Sequence, residues 1–269
     1  MSAISIPEIL KYLNEARERP QNFIKYVQED IDSFIDNYSM PLKPGCNYQV
    51  NESKKAWLEC KNFLQEQKPL HPFKLSDSLV ETAKDHCIDM KKNNLFGHTG
   101  SDGSDLSTRI KRRCGTRGMG LVAENIGSDF LVKGRNHALK TVLGLIVDDG
   151  VPSRGHRRNI FSKEIGYIGL YSAVQGDKVI TVMNFHSENL PLNDSFGLNK
   201  GKENMKEEIN YDNEEIPKPK GFGNFGRFMN GMEKGTISSK PKGGKFAVSK
   251  STSTSSSISN GTKIVKIVE

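Results

Sequence analysis

A polar segment between strongly patterned apolar runs is the feature that most constrains this chain. It extends from Asp148 to Phe161, begins with two adjacent carboxylates and carries a single histidine, His156, among arginines. The run before it, 138–147, has apolar residues at helical spacing, and two strand-like runs follow it, 166–171 and 178–185. This order predicts a polar loop held between a buried helix and a sheet, which is a usual location for reactive side chains.

Local signals predict where several helices begin. Ser5 to Glu8 has the spacing of a capping box and includes a proline suited to a first helical turn. Ser78 to Glu81 has the same spacing and predicts the start of a second helix. Asn136 can cap the helix that precedes the polar loop. These helices and the two strands indicate a domain that occupies residues 1–195.

The last quarter of the chain has a different composition. Of the formal net charge of +7, residues 196–269 carry +5. Within them, 200–215 is charged and leans acidic, 218–246 mixes Lys and Gly with scattered Phe, and 250–260 is almost all Ser and Thr. A segment this polar cannot bury enough apolar surface to offset the entropy of ordering, so we predict a disordered tail over 196–269. Only 264–268 within it has strand character. The first 195 residues are nearly neutral, which argues against general nucleic-acid binding by the domain.

The cysteines and the N-terminus bear on the compartment. The four cysteines are far apart and include no CxxC pair, so neither a structural zinc site nor a redox motif is predicted. The first residues lack the basic start and apolar core of a signal peptide, and no apolar run approaches the ~18 residues of a membrane span. We therefore expect a cytoplasmic protein that is not transmembrane and has reduced thiols.

Two histidines and nearby acids are the candidates for chemistry. His98 and His156 each follow a glycine, and the acids are Glu124, Asp148 and Asp149. Two imidazoles and a carboxylate can hold a divalent metal ion, with zinc as the first candidate, or can act without metal as acid and base. The spacing of the histidines matches no local metal signature, so they could also simply hydrogen-bond loop backbone.

Glu124 and His86 each allow two interpretations. Glu124 lies between Val122 and Ile126, where a carboxylate is costly to bury unless it is paired. It is either a solvent-facing edge residue or a carboxylate held towards the histidines. His86 lies beside the apolar stripe of a predicted helix. It is either a buried, hydrogen-bonded histidine or a site residue.

Several motifs in this order resemble the CAP superfamily, which comprises cysteine-rich secretory, antigen 5 and pathogenesis-related proteins. The similarity is greatest to its microbial SCP branch and covers about residues 5–190. The motifs are Asn14 to Arg17, Leu79 with Ala83 and Asp89-Met90, Phe96 to Ser104 with Arg109, Ala123 to Ile126, and Asp148 to Ile160.

The resemblance implies a three-layer α-β-α sandwich with a central cleft lined by two histidines and two acids. His98 and His156 match the family histidines, which bind a divalent ion, usually zinc, in several members. Glu124 matches the Glu of the Glu-Asn motif, and Asp148 falls where the second acid would be. Most relatives are secreted and disulfide-bonded, whereas this chain resembles the few intracellular members.

Three functions remain open at this point. The first is a CAP domain whose cleft binds a divalent ion and a small apolar ligand, such as a lipid or sterol, or a peptide. The second is a metal-dependent hydrolase or peptidase in which Glu124 acts as general base and Asp148 as the second acid. In the third, the basic tail contacts an anionic surface and the domain serves as its platform.

Overall fold

The computed structural model describes residues 5–115, 120–192, 256–259 and 262–267. The described helices are α1 (Ile6–Glu18), α2 (Pro20–Ser33), α3 (Lys55–Glu66), α4 (Asp77–Asn93), α5 (Leu106–Cys114), α6 (His137–Val147) and α7 (Gly155–Ile160). The described strands are β1 (Ser39–Lys43), β2 (Cys46–Gln49), β3 (Lys74–Leu75), β4 (Val122–Phe130), β5 (Tyr167–Gln175), β6 (Lys178–His186), β7 (Ser256–Ser259) and β8 (Thr262–Ile267).

Helices cover both faces of one main sheet, as the predicted α-β-α sandwich requires. The strand order is β3-β5-β6-β4-β8-β7, and β1 and β2 form a separate hairpin. On one face, Met90 of α4 packs with Ile126 and Val182. On the other face, Ala123 and Met183 join the core that α1, α2, α3 and α6 form. The predicted mixed α/β class is therefore confirmed.

Strand β4 is positioned by a long antiparallel pairing with β6. The register extends from Val122 opposite His186 to Phe130 opposite Lys178. Side chains alternate between the two faces of a strand. Glu124 therefore lies on the same face as Val122 and Ile126, the face covered by α4. Asn125 lies on the opposite face and projects towards α6 and α7.

Several predicted boundaries are confirmed. Helix α6 follows Asn136, whose side chain accepts from the N–H of Leu139, and Ser5 caps α1 by accepting from the N–H of Glu8. The two predicted strands correspond to β5 and β6, which pair as a hairpin. Trp57 packs edge-on against Phe34 in the core.

Two local predictions are wrong. Ser78 does not cap α4, which begins at Asp77, because the Ser78 hydroxyl instead donates to the carbonyl of Leu190 at 2.7 Å. The segment predicted as a polar loop contains a six-residue helix, α7, and His156 lies in its first turn. Both departures depend on contacts with residues that are distant in sequence.

The tail is described only in part. Strand β8 pairs in parallel with the beginning of β4, at Val122 and Ala123, and antiparallel with β7. The remainder of the segment predicted to be disordered, including 196–255, lies outside the described residues.

The fold has neither disulfides nor a membrane-spanning helix in the part of the chain that is described. All four cysteines are free thiols, and Cys60, Cys87 and Cys114 are buried. Burial raises the pKa of Cys60 and of Cys87 to about 12, so both are protonated at neutral pH. Among the described helices, none combines the length and apolar character needed to span a bilayer.

Candidate functional site

The first half of the candidate site joins His98 to Glu124. The loop after α4 carries His98, and its Nδ1 lies 2.9 Å from Oε1 of Glu124 on β4. The Glu124 side chain is only 1% exposed, whereas that of His98 is 23% exposed. The interpretation of Glu124 as a carboxylate held towards a histidine therefore fits the structure, and that of a solvent-facing edge residue does not.

Two more side chains hold the Glu124 carboxylate. Nη2 of Arg109, on α5, lies 2.9 Å from Oε1 and 2.7 Å from Oε2. The amide of Asn184, assigned with its nitrogen towards the carboxylate, donates to Oε2 at 3.0 Å and accepts from the N–H of Ala83. Both oxygens of Glu124 are therefore occupied by donors.

These contacts determine the charge state of Glu124. Burial raises the pKa of Glu124, but the hydrogen bond with His98 and the positive charge of Arg109 more than offset this, so the pKa lies below its ordinary value. Glu124 is thus an ionised carboxylate at neutral pH. Because an ionised carboxylate can only accept, Nδ1 of His98 carries a proton, and in the neutral form of the ring Nε2 is the atom with the lone pair.

The second half joins His156 to Asp148. Helix α6 ends at Val147, and the next residue, Asp148, caps it in the left-handed conformation at φ 60°. Oδ1 of Asp148 lies 2.6 Å from Nδ1 of His156, and Oδ2 accepts from the backbone N–H of His156 and of Arg157. The Asp148 side chain is 2% exposed and that of His156 is 13% exposed. The structure therefore brings together the predicted acid and histidine of this segment.

Arg154 fixes the turn that connects α6 to α7, the helix that carries His156. Arg154 donates to both carboxylate oxygens of Glu52, to Glu59, and to the carbonyls of Asp148 and Val151. These bonds close the chain between α6 and α7 into a compact turn, and they tie it to α3. The pKa of Glu52 is lowered mainly by its hydrogen bonds from Arg154.

Arg157 and Asp149 also have structural roles. Arg157, for which the sequence favours a surface cation or a donor to loop carbonyls, is buried, and it donates to the carbonyls of Ile146 and Val147 at the end of α6. Asp149 accepts from the backbone N–H groups of Asn51 and Glu52. Both side chains thus hold the backbone around the site in place.

Strand β4 contacts both halves of the site. Glu124 faces α4 and contacts His98, whereas Asn125 faces α7, where its Nδ2 donates to the backbone carbonyl of His156 at 3.1 Å. Asn159 in turn donates to Oδ1 of Asn125 at 2.8 Å. Consecutive residues of one strand, whose side chains project to opposite faces, therefore contact the ring of His98 and the backbone carbonyl of His156.

His86, on α4, contacts the loop that carries His98. Its Nε2 lies 2.8 Å from the carbonyl of Gly97, beside His98, and burial lowers the pKa of His86. The interpretation of His86 as a buried, hydrogen-bonded histidine is confirmed. Its Nδ1, like Nε of Arg109, is buried and has no hydrogen-bond partner within the described residues.

The donor set limits what metal site could form. No group of three or more His, Cys, Asp or Glu side chains in the described ranges is arranged to hold a metal ion. The carboxylates of Glu124 and Asp148 are taken by hydrogen bonds, so Nε2 of His98 and Nε2 of His156 are the atoms left for coordination. The available donors are therefore two imidazoles oriented by carboxylates, and the described residues add no third His, Cys, Asp or Glu ligand.

Arg109 and Asn125 are the site residues whose roles sequence reasoning missed. Both occur within the recognised motifs, but neither was assigned a function. A buried carboxylate in an apolar strand requires a cationic or hydrogen-bonding partner, so the position of Glu124 was a signal for Arg109. The alternation of side chains along a strand was a signal for Asn125.

An α-β-α sandwich with a buried Glu-Asn pair on one strand and two histidines held by carboxylates defines the class of this domain. Residues 10–185 match the model of the CAP family, described as the cysteine-rich secretory protein family. The chain belongs to this family. No curated protein shows significant similarity to it.

Three solved structures illustrate the similarity. An outer surface protein from Borrelia burgdorferi is 22% identical over 44% of this chain and 78% of its own, with a TM-score of 0.35. An extracellular SCP-domain protein from Bacillus anthracis is 23% identical over 49% and 38%, with a TM-score of 0.34. NaASP2, solved with Zn2+, is 15% identical over 69% and 80%, with a TM-score of 0.36. These values carry no argument about function.

Proposed function

We propose that this CAP domain is a binding module that holds a divalent cation, zinc first among the candidates, through Nε2 of His98 and Nε2 of His156. One observation carries the proposal. Each histidine has its Nδ1 bonded to a buried carboxylate, at 2.9 Å for Glu124 and 2.6 Å for Asp148. Metal-binding histidines usually donate their other ring N–H to such a partner, which fixes the tautomer and raises ligand basicity.

The remaining coordination positions would be open. Zinc takes four ligands, and with two imidazoles the other positions fall to water or to a polar group of a bound molecule. The cation would supply Lewis acidity and a point of attachment there. The side chains of His98 and His156 are partly exposed, at 23% and 13%, so solvent reaches both of them. The expected apolar or peptide ligand remains a prediction that rests on the family resemblance.

The catalytic alternative has less support. A general base needs a carboxylate that is free to accept a proton, with a pKa near the working pH. Glu124 instead has both oxygens engaged by donors, and its pKa lies below its ordinary value. Asp148 is likewise engaged by His156 and two backbone N–H groups. We therefore favour orienting roles for both acids over the hydrolase hypothesis.

Zinc calorimetry on the full chain tests the proposal. Wild type should bind one zinc ion, and His98→Ala and His156→Ala should each weaken binding at least about tenfold, as expected when one of two ligands is lost. His71→Ala is the matched control because His71 is exposed and no metal role is proposed for it. Zinc affinity that is unchanged in the double variant would remove the proposal.

Two further expectations from the sequence remain predictions. Contact of the basic tail with an anionic surface concerns residues that are mostly not described. Binding of the full chain, but not of a 1–195 fragment, to vesicles with anionic lipid would support it. The cytoplasmic location also remains a prediction, and imaging of the tagged protein in its own cell would check it.

A further inference from the structure

Each histidine of the site is held at two points, the ring and its own backbone carbonyl. For His98, Glu124 holds the ring, and Nη1 of Arg109 donates to the carbonyl at 3.0 Å. For His156, Asp148 holds the ring, and Nδ2 of Asn125 donates to the carbonyl at 3.1 Å. Fixing the carbonyl fixes the point from which the side chain extends, so both contacts constrain where Nε2 lies.

The two carbonyl donors depend on consecutive residues of β4. Arg109 is itself anchored by Glu124, and Asn125 acts directly. The pairing of β4 with β6 holds these two residues in a fixed register, opposite Asn184 and Met183. A slip of one residue would exchange their faces and break both sets of contacts.

We infer that the Glu124–Asn125 dipeptide sets the separation of the two imidazoles, and that Asn125 is a positioning residue for His156. The inference deepens the proposed function and rests on it only where zinc is concerned. Asn125 is fully buried, and both ends of its amide are used, one by the His156 carbonyl and the other by Asn159. Its orientation is therefore determined by the protein and not by solvent.

Removing the amide should free His156 without affecting His98. In Asn125→Ser the shorter side chain leaves the His156 carbonyl without its donor, and the turn can shift relative to Asp148. In wild type, the contact with Asp148 should hold His156 in the Nδ1–H tautomer. In the variant we expect a mixture of tautomers, measured in imidazole 15N spectra of the metal-free protein. The His98 signals should stay as in wild type, because His98 is held by Glu124 and Asn125 contacts the His156 carbonyl.

Two controls separate positioning from loss of stability. Ser172→Ala removes a buried hydrogen bond to Thr181 in the same sheet, 2.8 Å long, and should lower stability without altering either histidine. Asn159→Ser removes the bond to Oδ1 of Asn125 but leaves the one to the His156 carbonyl, so it should change the His156 signals less. If Asn125→Ser fails to fold, Asn125→Thr provides the same measurement, because its side chain is also shorter than asparagine and threonine favours strands.

Zinc binding gives a second, separate readout. Loss of a residue that orients a metal ligand typically weakens binding about ten- to a hundredfold, and we expect this for Asn125→Ser against unchanged binding in Ser172→Ala. If wild type binds no zinc, the proposed function fails, but the metal-free spectra still decide the role of Asn125. An unaltered His156 tautomer in Asn125→Ser, or in Asn125→Thr where the serine variant does not fold, would overturn the inference.

Discussion

Arg109 and Glu124 form an ion pair inside the domain, with one guanidinium nitrogen within 2.9 Å of both carboxylate oxygens. The two side chains are only 7% and 1% exposed. A buried charge without its partner is costly, because the protein interior solvates it poorly. The pair therefore connects the stability of the domain to the geometry around His98.

Replacing Arg109 should destabilise the protein strongly. Arg109→Met leaves the Glu124 carboxylate without its cation and should cost about 3–5 kcal/mol of unfolding free energy, measured by urea denaturation. Arg113→Met is the matched control on the same helix, since its partner Asp85 is 47% exposed and a surface pair contributes up to about 1 kcal/mol. Equal losses in the two variants would contradict this account.

A second buried arginine, Arg17, connects α1 to the chain after α7. Its guanidinium donates to the carbonyls of His71, Ile160, Ser162 and Ile165, and burial lowers its pKa to about 10. Arg17→Met should cost at least about 3 kcal/mol, because several carbonyls lose their donor at once. Arg19→Met, at an exposed position beside it, should change stability by less than about 0.5 kcal/mol. Thermal and urea unfolding of both variants would check this.

Gly169 allows β5 to lie directly against α4. A Cβ there would lie 2.0 Å from backbone atoms of Leu79 and Val80, whereas one at Gly166 would have nothing within 4 Å. Gly169→Ala should therefore cost at least about 3 kcal/mol or prevent folding, since backbone cannot move aside as a side chain can. Gly166→Ala should stay within about 1 kcal/mol of wild type. A Gly169→Ala protein as stable as wild type would show that β5 and α4 are not packed as closely as this distance indicates.

The buried His86 should make stability depend on pH. Burial lowers the pKa of His86 in the folded state below its ordinary value of 6.5, so the unfolded chain binds the proton more readily. Its contribution is fully present above pH 6.5 and is lost as the pH falls through the lowered, folded-state pKa. Urea unfolding across this range should show the decline.

His86→Gln serves as the comparison for this effect, because an amide can still donate to the Gly97 carbonyl but does not titrate. The variant should lack the decline that begins near pH 6.5. Glu124 also has a lowered pKa, but its contribution is lost only below its ordinary value of 4.5, so the two effects occur in separate windows. A decline near pH 6.5 that persists in His86→Gln would assign it to another group.

Features encoded by neighbouring residues were predictable from the sequence. Asn136 marked the start of α6, and the spacing of apolar residues located β5 and β6. The prediction that Ser78 caps α4 was wrong because its hydroxyl donates to the carbonyl of Leu190, 112 residues away. A contact at that separation cannot be predicted from neighbouring residues. Helix α7 is short and is held by Arg154 and its acidic partners on α3, so its six residues carry no helical pattern of their own.

The pairing of acids with histidines was predictable only in outline. An acid within an apolar strand indicated that Glu124 needs a partner, and the family motifs indicated which histidines to consider. Sequence separation could not show that Glu124 contacts His98 while Asp148 contacts His156. Nor could it show that Arg109 occupies the carboxylate that a hydrolase would have needed.

The four free thiols have a mechanical consequence. A disulfide would shield the loop it closes when a chain is pulled from both ends, and nothing of that kind joins the cysteines here. Stretched in an optical trap, the domain should release its entire length between the attachment points, at about 3.4 Å per residue, with or without reductant in the buffer.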